Sequence, residues 1–188
     1  MTKIQYYTAT SVDGFLADEN NSLDWLFEVD SAGNKNFDNF FSNIGAFAMG
    51  ATTYEWVLEH ENLLEDPAKW TTWYGAVPCW VFTHRELPSV AGANIHFVSG
   101  DVQPVHSAML AAAQGRNIWL VGGGELVGLF ADVGLLDEMI LTIAPVTLGR
   151  GAPLLPRRLT SQRLSLAHVE RVNQFVHLTY QVVGYKAR

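Results

Sequence analysis

The chain has 188 residues, 48% hydrophobic and 16% charged, a composition that supports one compact core and excludes a disordered chain. No apolar run approaches the ~20 residues of a membrane helix, the N-terminus lacks a secretory h-region, and a single cysteine, Cys79, excludes an internal disulfide framework and a multi-cysteine zinc site. The net charge of −7 argues against a nucleic-acid binder, so one domain over residues 1–188 of a soluble, cytoplasmic protein is expected.

In chain order, Ile4 to Thr10 reads as a first strand, and Ser11-Val12-Asp13-Gly14 as a turn. Residues 18–34 read as an acidic loop with Leu23, Trp25, Leu26 and Phe27 embedded in it. Phe37, Phe40, Phe41 and Ile44 recur at helical spacing and predict a short helix over 35–43. Ala46 to Met49 reads as a buried strand ending at Gly50. Thr52 and Thr53 then read as capping residues for a helix through Leu58. Residues 59–76 read as an acidic connection holding Trp70 and Trp73. Strands are expected at Cys79–Thr83 and Asn94–Ser99, a helix over Val105–Gln114, and an apolar strand at Asn117–Val121. Gly122-Gly123-Gly124 follows, then a helix through about Ala131. A strand over Asp137–Pro145, a Gly/Pro/Arg loop over 146–160, and β-like stretches at 163–170 and 174–184 complete the chain. Strands alternating with helices imply a mostly parallel sheet, and the two final stretches an antiparallel edge.

Three places carry chemistry. Val121-Gly122-Gly123-Gly124-Glu125-Leu126 runs from a strand through glycines into a helix, where bare backbone and a helix N-terminus suit a phosphate. It departs from the dinucleotide fingerprint, because Val127 stands where a third spaced glycine is required. Met49-Gly50-Ala51-Thr52-Thr53-Tyr54 repeats that strand–glycine–helix pattern, so two helix starts could clamp a diphosphate. Val81-Phe82-Thr83-His84-Arg85 delivers a hydroxyl, an imidazole and a guanidinium to one strand end, and Arg85 could pair with a phosphate. The six histidines show no metal-ligand spacing. Residues 1–70 hold 12 acids and 3 bases, whereas 147–188 hold 1 acid and 7 bases. Arg150, Arg157, Arg158 and Arg163 read as a solvated or subunit-contacting face, or alternatively as a contact with an anionic ligand.

The order of motifs resembles the dihydrofolate reductase superfamily, above all stand-alone relatives of the riboflavin-biosynthesis reductase domain. The resemblance rests on Thr10 to Ala17, Leu23-Asp24-Trp25-Leu26, Met49 to Glu55, Val121 to Glu125 and Ala144 to Gly151. It implies a three-layer α/β/α fold and an NADPH-dependent reductase of a pyrimidine-type heterocycle. Pteridine, dihydrofolate or another small carbonyl or heterocycle is the alternative substrate, and a non-catalytic nucleotide-binding module the alternative of another class. By the resemblance, Ala9 and Leu16 would face the nicotinamide. Gly50, Thr52 and Thr53 would meet the diphosphate from one side, and Gly122, Gly123, Gly124, Glu125 and Leu126 from the other. Thr83, His84 and Arg85 would surround the adenosine and its 2′-phosphate. Asp38, or failing it Asp30, would assist protonation, while Trp25, Phe37 or Phe41 would stack on the substrate. Two departures stand out: Ala51 occupies the position of a phosphate-binding arginine, and residues 31–44 hold only Lys35 as a basic group. A homodimer through the C-terminal third is expected, because an apolar sheet edge there needs cover.

Overall fold

The computed structural model describes residues 1–31 and 36–183. Lys35, the first residue of the expected 35–43 helix, and residue 184, the last of the expected 174–184 stretch, lie outside them.

In chain order the elements are β1 (Ile4–Thr10), β2 (Phe15–Ala17), α1 (Asp24–Phe27), α2 (Asn36–Phe41), β3 (Ile44–Gly50), α3 (Ala51–His60), α4 (Ala68–Tyr74), β4 (Cys79–Phe82), β5 (Ile95–Val98), α5 (Val102–Ala113), β6 (Asn117–Gly122), α6 (Gly124–Asp132), β7 (Glu138–Ile143), β8 (Ala152–Pro153), β9 (Leu164–Val172) and β10 (Phe175–Val182). Eight strands form one sheet in the order β5-β4-β3-β6-β1-β7-β10-β9, and β2 pairs with β8 separately. Pairing is parallel from β5 to β7. The last two strands are antiparallel, as the two consecutive C-terminal stretches implied.

The parallel strands are apolar on both faces because helices cover both sides. On one face Ile4, Tyr6, Ile118 and Leu120 pack with residues of α5 and α6. On the other, Phe47, Met49 and Trp119 pack with residues of α3 and α4. Strand β3 accordingly shows no polar alternation. At Gly45 a Cβ would lie 2.3 Å from the Ala113 carbonyl oxygen, so glycine is what lets α5 seat against β3.

Four local expectations need correction. Helix α4, within the stretch read as a connection, forms because Trp70 is fully buried, its ring 6.0 Å from Phe47 and 4.7 Å from Tyr74. Helix α5 begins three residues earlier than periodicity suggested. Asp101 caps it by accepting from the Gln103 N–H at 3.0 Å, and Pro104 falls in the first turn, where a missing N–H is harmless. Thr52 and Thr53 are not caps: Gly50 is the N-cap of α3, and both threonines lie inside its first turn. Within the loop read at 18–34, residues 24–27 form the short helix α1.

Candidate active site

A cavity of about 590 Å³ opens at the carboxyl ends of β3 and β6, beside β1, the position at which open α/β sheets bind ligands. The end of β3 leads straight into α3, and that of β6 into α6. Gly50 and Gly123 cap these helices with nearly equal extended backbones, φ −80°, ψ 165° and φ −79°, ψ 175°, and neither cap receives a side-chain hydrogen bond. First-turn N–H groups without a side-chain cap, together with the positive end of each helix dipole, suit an anion.

The glycines at this end differ in purpose. A Cβ on Gly123 would meet nothing within 4 Å, whereas one on Gly122 would sit 3.5 Å from Thr53 Oγ1. The φ of Gly123 is one that any residue adopts, so glycine there leaves room in the cavity rather than relieving strain. A Cβ on Gly124 would instead lie 2.5 Å from the Pro153 carbonyl and 2.7 Å from that of Leu154, so this glycine admits the 153–156 segment.

The opposite end is aromatic. Tyr7, Phe37, Trp56, Tyr74 and Trp119 line it with Leu23 and Leu26. The Tyr7 ring stacks on Phe40 at 4.5 Å, and Trp119 Nε1 donates to the Tyr7 carbonyl at 2.9 Å. The α1 segment is held over this end by a stack in which the His60 ring lies 5.2 Å from Phe27 and 4.4 Å from Trp56. Burial pushes the Tyr7 phenol above its ordinary pKa, and a hydrogen bond with the Thr142 side chain partly offsets the rise. Thr142 Oγ1 in turn lies 3.0 Å from His177 Nδ1, and both residues are buried. Sequence reasoning missed Tyr7, Thr142 and His177, since they come from three strands and share no motif. The alternation of β1, which places Tyr7 on the face of Ala9, was the one available signal.

The expected cofactor residues divide into two sets. Ala9, Leu16, Gly50, Thr52, Thr53, Gly122, Gly123, Gly124, Glu125 and Leu126 all line the cavity. Thr83, His84 and Arg85 do not. Thr83 Oγ1 accepts from the Arg85 N–H at 2.9 Å, turning the chain away after β4. The Arg85 guanidinium is held by both Glu55 oxygens, at 2.8 and 2.7 Å.

Among the expected substrate residues only Phe37 lines the cavity. Phe41 packs into the core beneath it, 6.4 Å from the Phe47 ring. Trp25 faces the other way, buried with Ala144 and Phe175, because these leave a slot an indole fills. Asp38 is exposed and outside the lining: the three phenylalanines of α2 turn toward the sheet and the carboxylate toward water. Asp30 is also exposed and outside the lining.

Two motifs far apart in sequence close the cavity rim together. Asp13 accepts from Ser11 Oγ at 2.6 Å, from the Gly149 N–H at 2.7 Å and from the Leu148 N–H at 3.1 Å. Those bonds, the Ser11 hydroxyl first, hold the Asp13 carboxyl down at about 2. Val12 N–H donates to the Val146 carbonyl at 2.7 Å, and the β2–β8 pair carries Leu16 and Ala17 to the wall. The C-terminal arginines are partly spoken for within the chain. Arg157 spans α6, bonding Glu125 at 3.0 Å and Asp132 at 2.8 Å, and Arg150 reaches Glu19 at 3.3 Å.

Comparison with known proteins agrees with this architecture. Residues 56–178 match the RibD C-terminal domain family. The Bacillus subtilis protein YwjB, itself uncharacterized, is 32% identical over 95% of this chain and 97% of its own. A protein of Shewanella sp. PV-4, provisionally assigned to riboflavin biosynthesis, superposes with a TM-score of 0.80 at 25% identity, covering 97% of this chain and 99% of that one. The dihydrofolate reductase of Enterococcus faecalis, solved with NADP(H), superposes with a TM-score of 0.57 at 13% identity over 96% of each chain, a likeness of fold. The molecule is thus a dihydrofolate reductase-like α/β protein. Within that class, the chain belongs to the RibD C-terminal domain family.

Proposed function

We propose that this protein is an oxidoreductase that binds NADPH across the two glycine-led helix starts and reduces a small, flat, uncharged nitrogen heterocycle or carbonyl compound. The observation that carries the reading is the cradle formed by Gly50, Gly122 and Gly123 between two helix N-termini without side-chain caps, opening onto an aromatic chamber. The residues present fit a dinucleotide: a side chain at Gly123 would fill space that is now open, and Thr52 and Thr53 add hydroxyls on the facing wall. When bound, the nicotinamide supplies the hydride, and the protein's part is to bind, orient and manage a proton.

Glu125 is the one charged residue of the lining among the described residues, and it is paired with Arg157. That chamber suits an uncharged pyrimidine- or pterin-sized ring better than a ribose-phosphate substrate, which would call for a cation. For the 2′-phosphate of NADPH, Arg85 is the available cation. It lies against Glu55, one turn along α3 from Thr52, and would have to exchange that exposed partner for the phosphate.

Titration with NADPH, followed by tryptophan quenching, tests the cofactor. Oxidation of bound NADPH by a panel of pyrimidines, pterins and small carbonyls tests the reaction. Binding without oxidation by any of them would favour a nucleotide-binding module instead. No described helix is long and apolar enough to cross a membrane, and we read the protein as cytoplasmic. We also propose a homodimer through β9, an edge strand that leaves Leu166 and Val169 more than half exposed. Light scattering at micromolar concentration should return about twice the 20.8 kDa chain mass.

A further inference from the structure

Reduction of a C=N or C=O bond needs a proton as well as a hydride, and the two expected carboxylates face solvent. The aromatic end of the cavity supplies a different group. Tyr7 lines it, on the same face of β1 as Ala9. In the sheet register Ala9 lies opposite Thr142, Thr142 opposite His177, and His177 opposite Glu170. The row therefore crosses β1, β7, β10 and β9 from the cavity to the solvent-facing edge.

We propose that the Tyr7 hydroxyl is the proton donor of this site, and that Thr142 and His177 position and reload it from solvent by way of the Glu170 edge. This rests on the reductase reading above.

Four observations support it. Hydrogen bonding from the Thr142 side chain partly offsets the rise that burial causes in the Tyr7 pKa, and Thr142 Oγ1 lies 3.0 Å from His177 Nδ1, so the three side chains follow one another inward from the cavity. His177 is 4% exposed, and its Nε2 is buried with no protein hydrogen-bond partner. An orphaned buried ring nitrogen is costly and unusual; with no protein group occupying it, Nε2 keeps its lone pair for a proton once solvent reaches it past Glu170. Glu170, the next residue of the row, is about half exposed, with its carboxylate 3.9 Å from His168 Nε2. The apolar surroundings that raise the Tyr7 pKa also keep the phenol protonated at neutral pH, as a donor must be.

The step balances as follows. As the substrate carbon takes the hydride of the reduced nicotinamide, the π electron pair moves to the adjacent nitrogen or oxygen. That atom forms an N–H or O–H bond with the Tyr7 proton, leaving a phenolate. The phenolate takes the Thr142 hydroxyl proton, and Thr142 takes the proton of His177 Nδ1. His177 Nε2 takes one that reaches it from solvent past the Glu170 edge, so the imidazole stays neutral in its other tautomer, and exchange with solvent restores the Nδ1–H form before the next turnover. The net consumption is one hydride and one solvent proton. Tyr7 touches the substrate space, whereas Thr142 and His177 are positioning residues.

The test uses the full chain and its Tyr7→Phe, Thr142→Val and His177→Gln variants, each close in shape to the original. NADPH affinity should stay within about twofold in all three, while Tyr7→Phe should lower turnover by about a hundredfold or more, the range of general acid catalysis. Without cofactor or substrate, labelled tyrosine Cζ and histidine ring nitrogens are followed by NMR, the variants assigning the signals by their loss. Thr142→Val and His177→Gln should each shift the Tyr7 signal, and Tyr7→Phe should shift that of His177 Nδ1. A Tyr7→Phe protein with full turnover overturns the proposal and leaves the reductase reading standing. A Tyr7 signal indifferent to His177→Gln overturns the relay. A wild-type protein that oxidises NADPH with none of the panel overturns the reading and the proposal together, whereas one that binds no NADPH points to the failure of the cradle.

Discussion

The two ends of the cavity are built differently. The cradle is backbone: Gly50, Gly122 and Gly123 at strand ends, and the first turns of α3 and α6. Its parts are continuous in sequence, five or six residues at a time. The aromatic end is side chain: Tyr7 from β1, Phe37 from α2, Trp119 from β6, and behind them Thr142 and His177, themselves 35 residues apart. The backbone we propose to hold the cofactor is thus a local feature here, and the aromatic side-chain surface opposite it a product of strand register. A cofactor cradle can be shared across a fold while the reacting end varies with every strand face.

The sharpest way to break the comparison is to change neighbouring glycines of one motif. Gly123→Val puts a branched side chain where nothing lies within 4 Å, so folding should be intact. NADPH binding should weaken by about a hundredfold or more, about 2.8 kcal/mol at tenfold per ~1.4 kcal/mol. Gly124→Ala should do the reverse. Its Cβ would press on two backbone carbonyls at 2.5 and 2.7 Å, which cannot swing aside as a side-chain tip would. We expect a loss of about 1–3 kcal/mol of stability, the scale of an overpacked core, read by urea unfolding. If Gly124→Ala is stable and Gly123→Val is not, the division between ligand space and packing is wrong.

The same contrast explains what could be read from sequence. The alternation of strands and helices, the antiparallel C-terminal edge and the two strand–glycine–helix turns that reach the cavity wall, at Gly50 and at Gly122 to Gly124, follow from local patterns. The reacting end did not yield to that reasoning. Asp38 stands among three phenylalanines on a helix of only six residues, too short for periodicity to say on which side of the apolar stripe it falls. Trp25 sits in an acidic stretch that looked like a ligand-covering loop. Its partners Ala144 and Phe175 lie more than a hundred residues away, and only the folded sheet brings them beneath the indole. Arg85 stands just past the end of β4, but its partner Glu55 is 30 residues earlier, and nothing local announces the pairing.

That pairing offers a finer probe of the cradle end. The Arg85 side chain is 58% exposed and that of Glu55 39%, so their ion pair is of the surface kind, worth about 0–1 kcal/mol. Exchange of Glu55 for a 2′-phosphate is therefore inexpensive. Glu55→Gln should free the guanidinium and tighten NADPH several-fold, leaving NADH unchanged. Arg85→Ala should weaken NADPH by about tenfold, roughly 1.4 kcal/mol and the lower part of the range for hydrogen bonds to charged groups. Equal effects of either variant on both cofactors, measured by titration, would remove Arg85 from the binding site.

The smallest effect concerns the rim that joins the two ends. Asp13 ties the β1–β2 turn to Leu148 and Gly149, and so sets where Leu16 and Ala17 meet the cavity. Its carboxyl titrates at about 2 in the folded protein against an ordinary 3.8. A folded-state pKa below the unfolded one means that the carboxylate contributes to stability above the unfolded value, and that the contribution is lost as the pH falls through the folded one. The window is therefore between 3.8 and about 2, and neutral pH lies on the plateau. Because Asp13 is exposed, the contribution is modest, and it should appear first as looser docking of the rim rather than as unfolding. Limited proteolysis across this window should find cleavage near residues 11–17 rising before the global transition, using an acid-active protease. Asp13→Asn keeps the shape of the side chain but removes the titration. It should show at neutral pH the rim cleavage that the wild type shows only in acid, with little further change on acidification. A variant whose cleavage climbs with acid as the wild type's does would mean that the rim is held by backbone bonds, from Val12 N–H to the Val146 carbonyl and from Leu154 N–H to the Gly14 carbonyl, and that the carboxylate contributes nothing to the placement of Leu16.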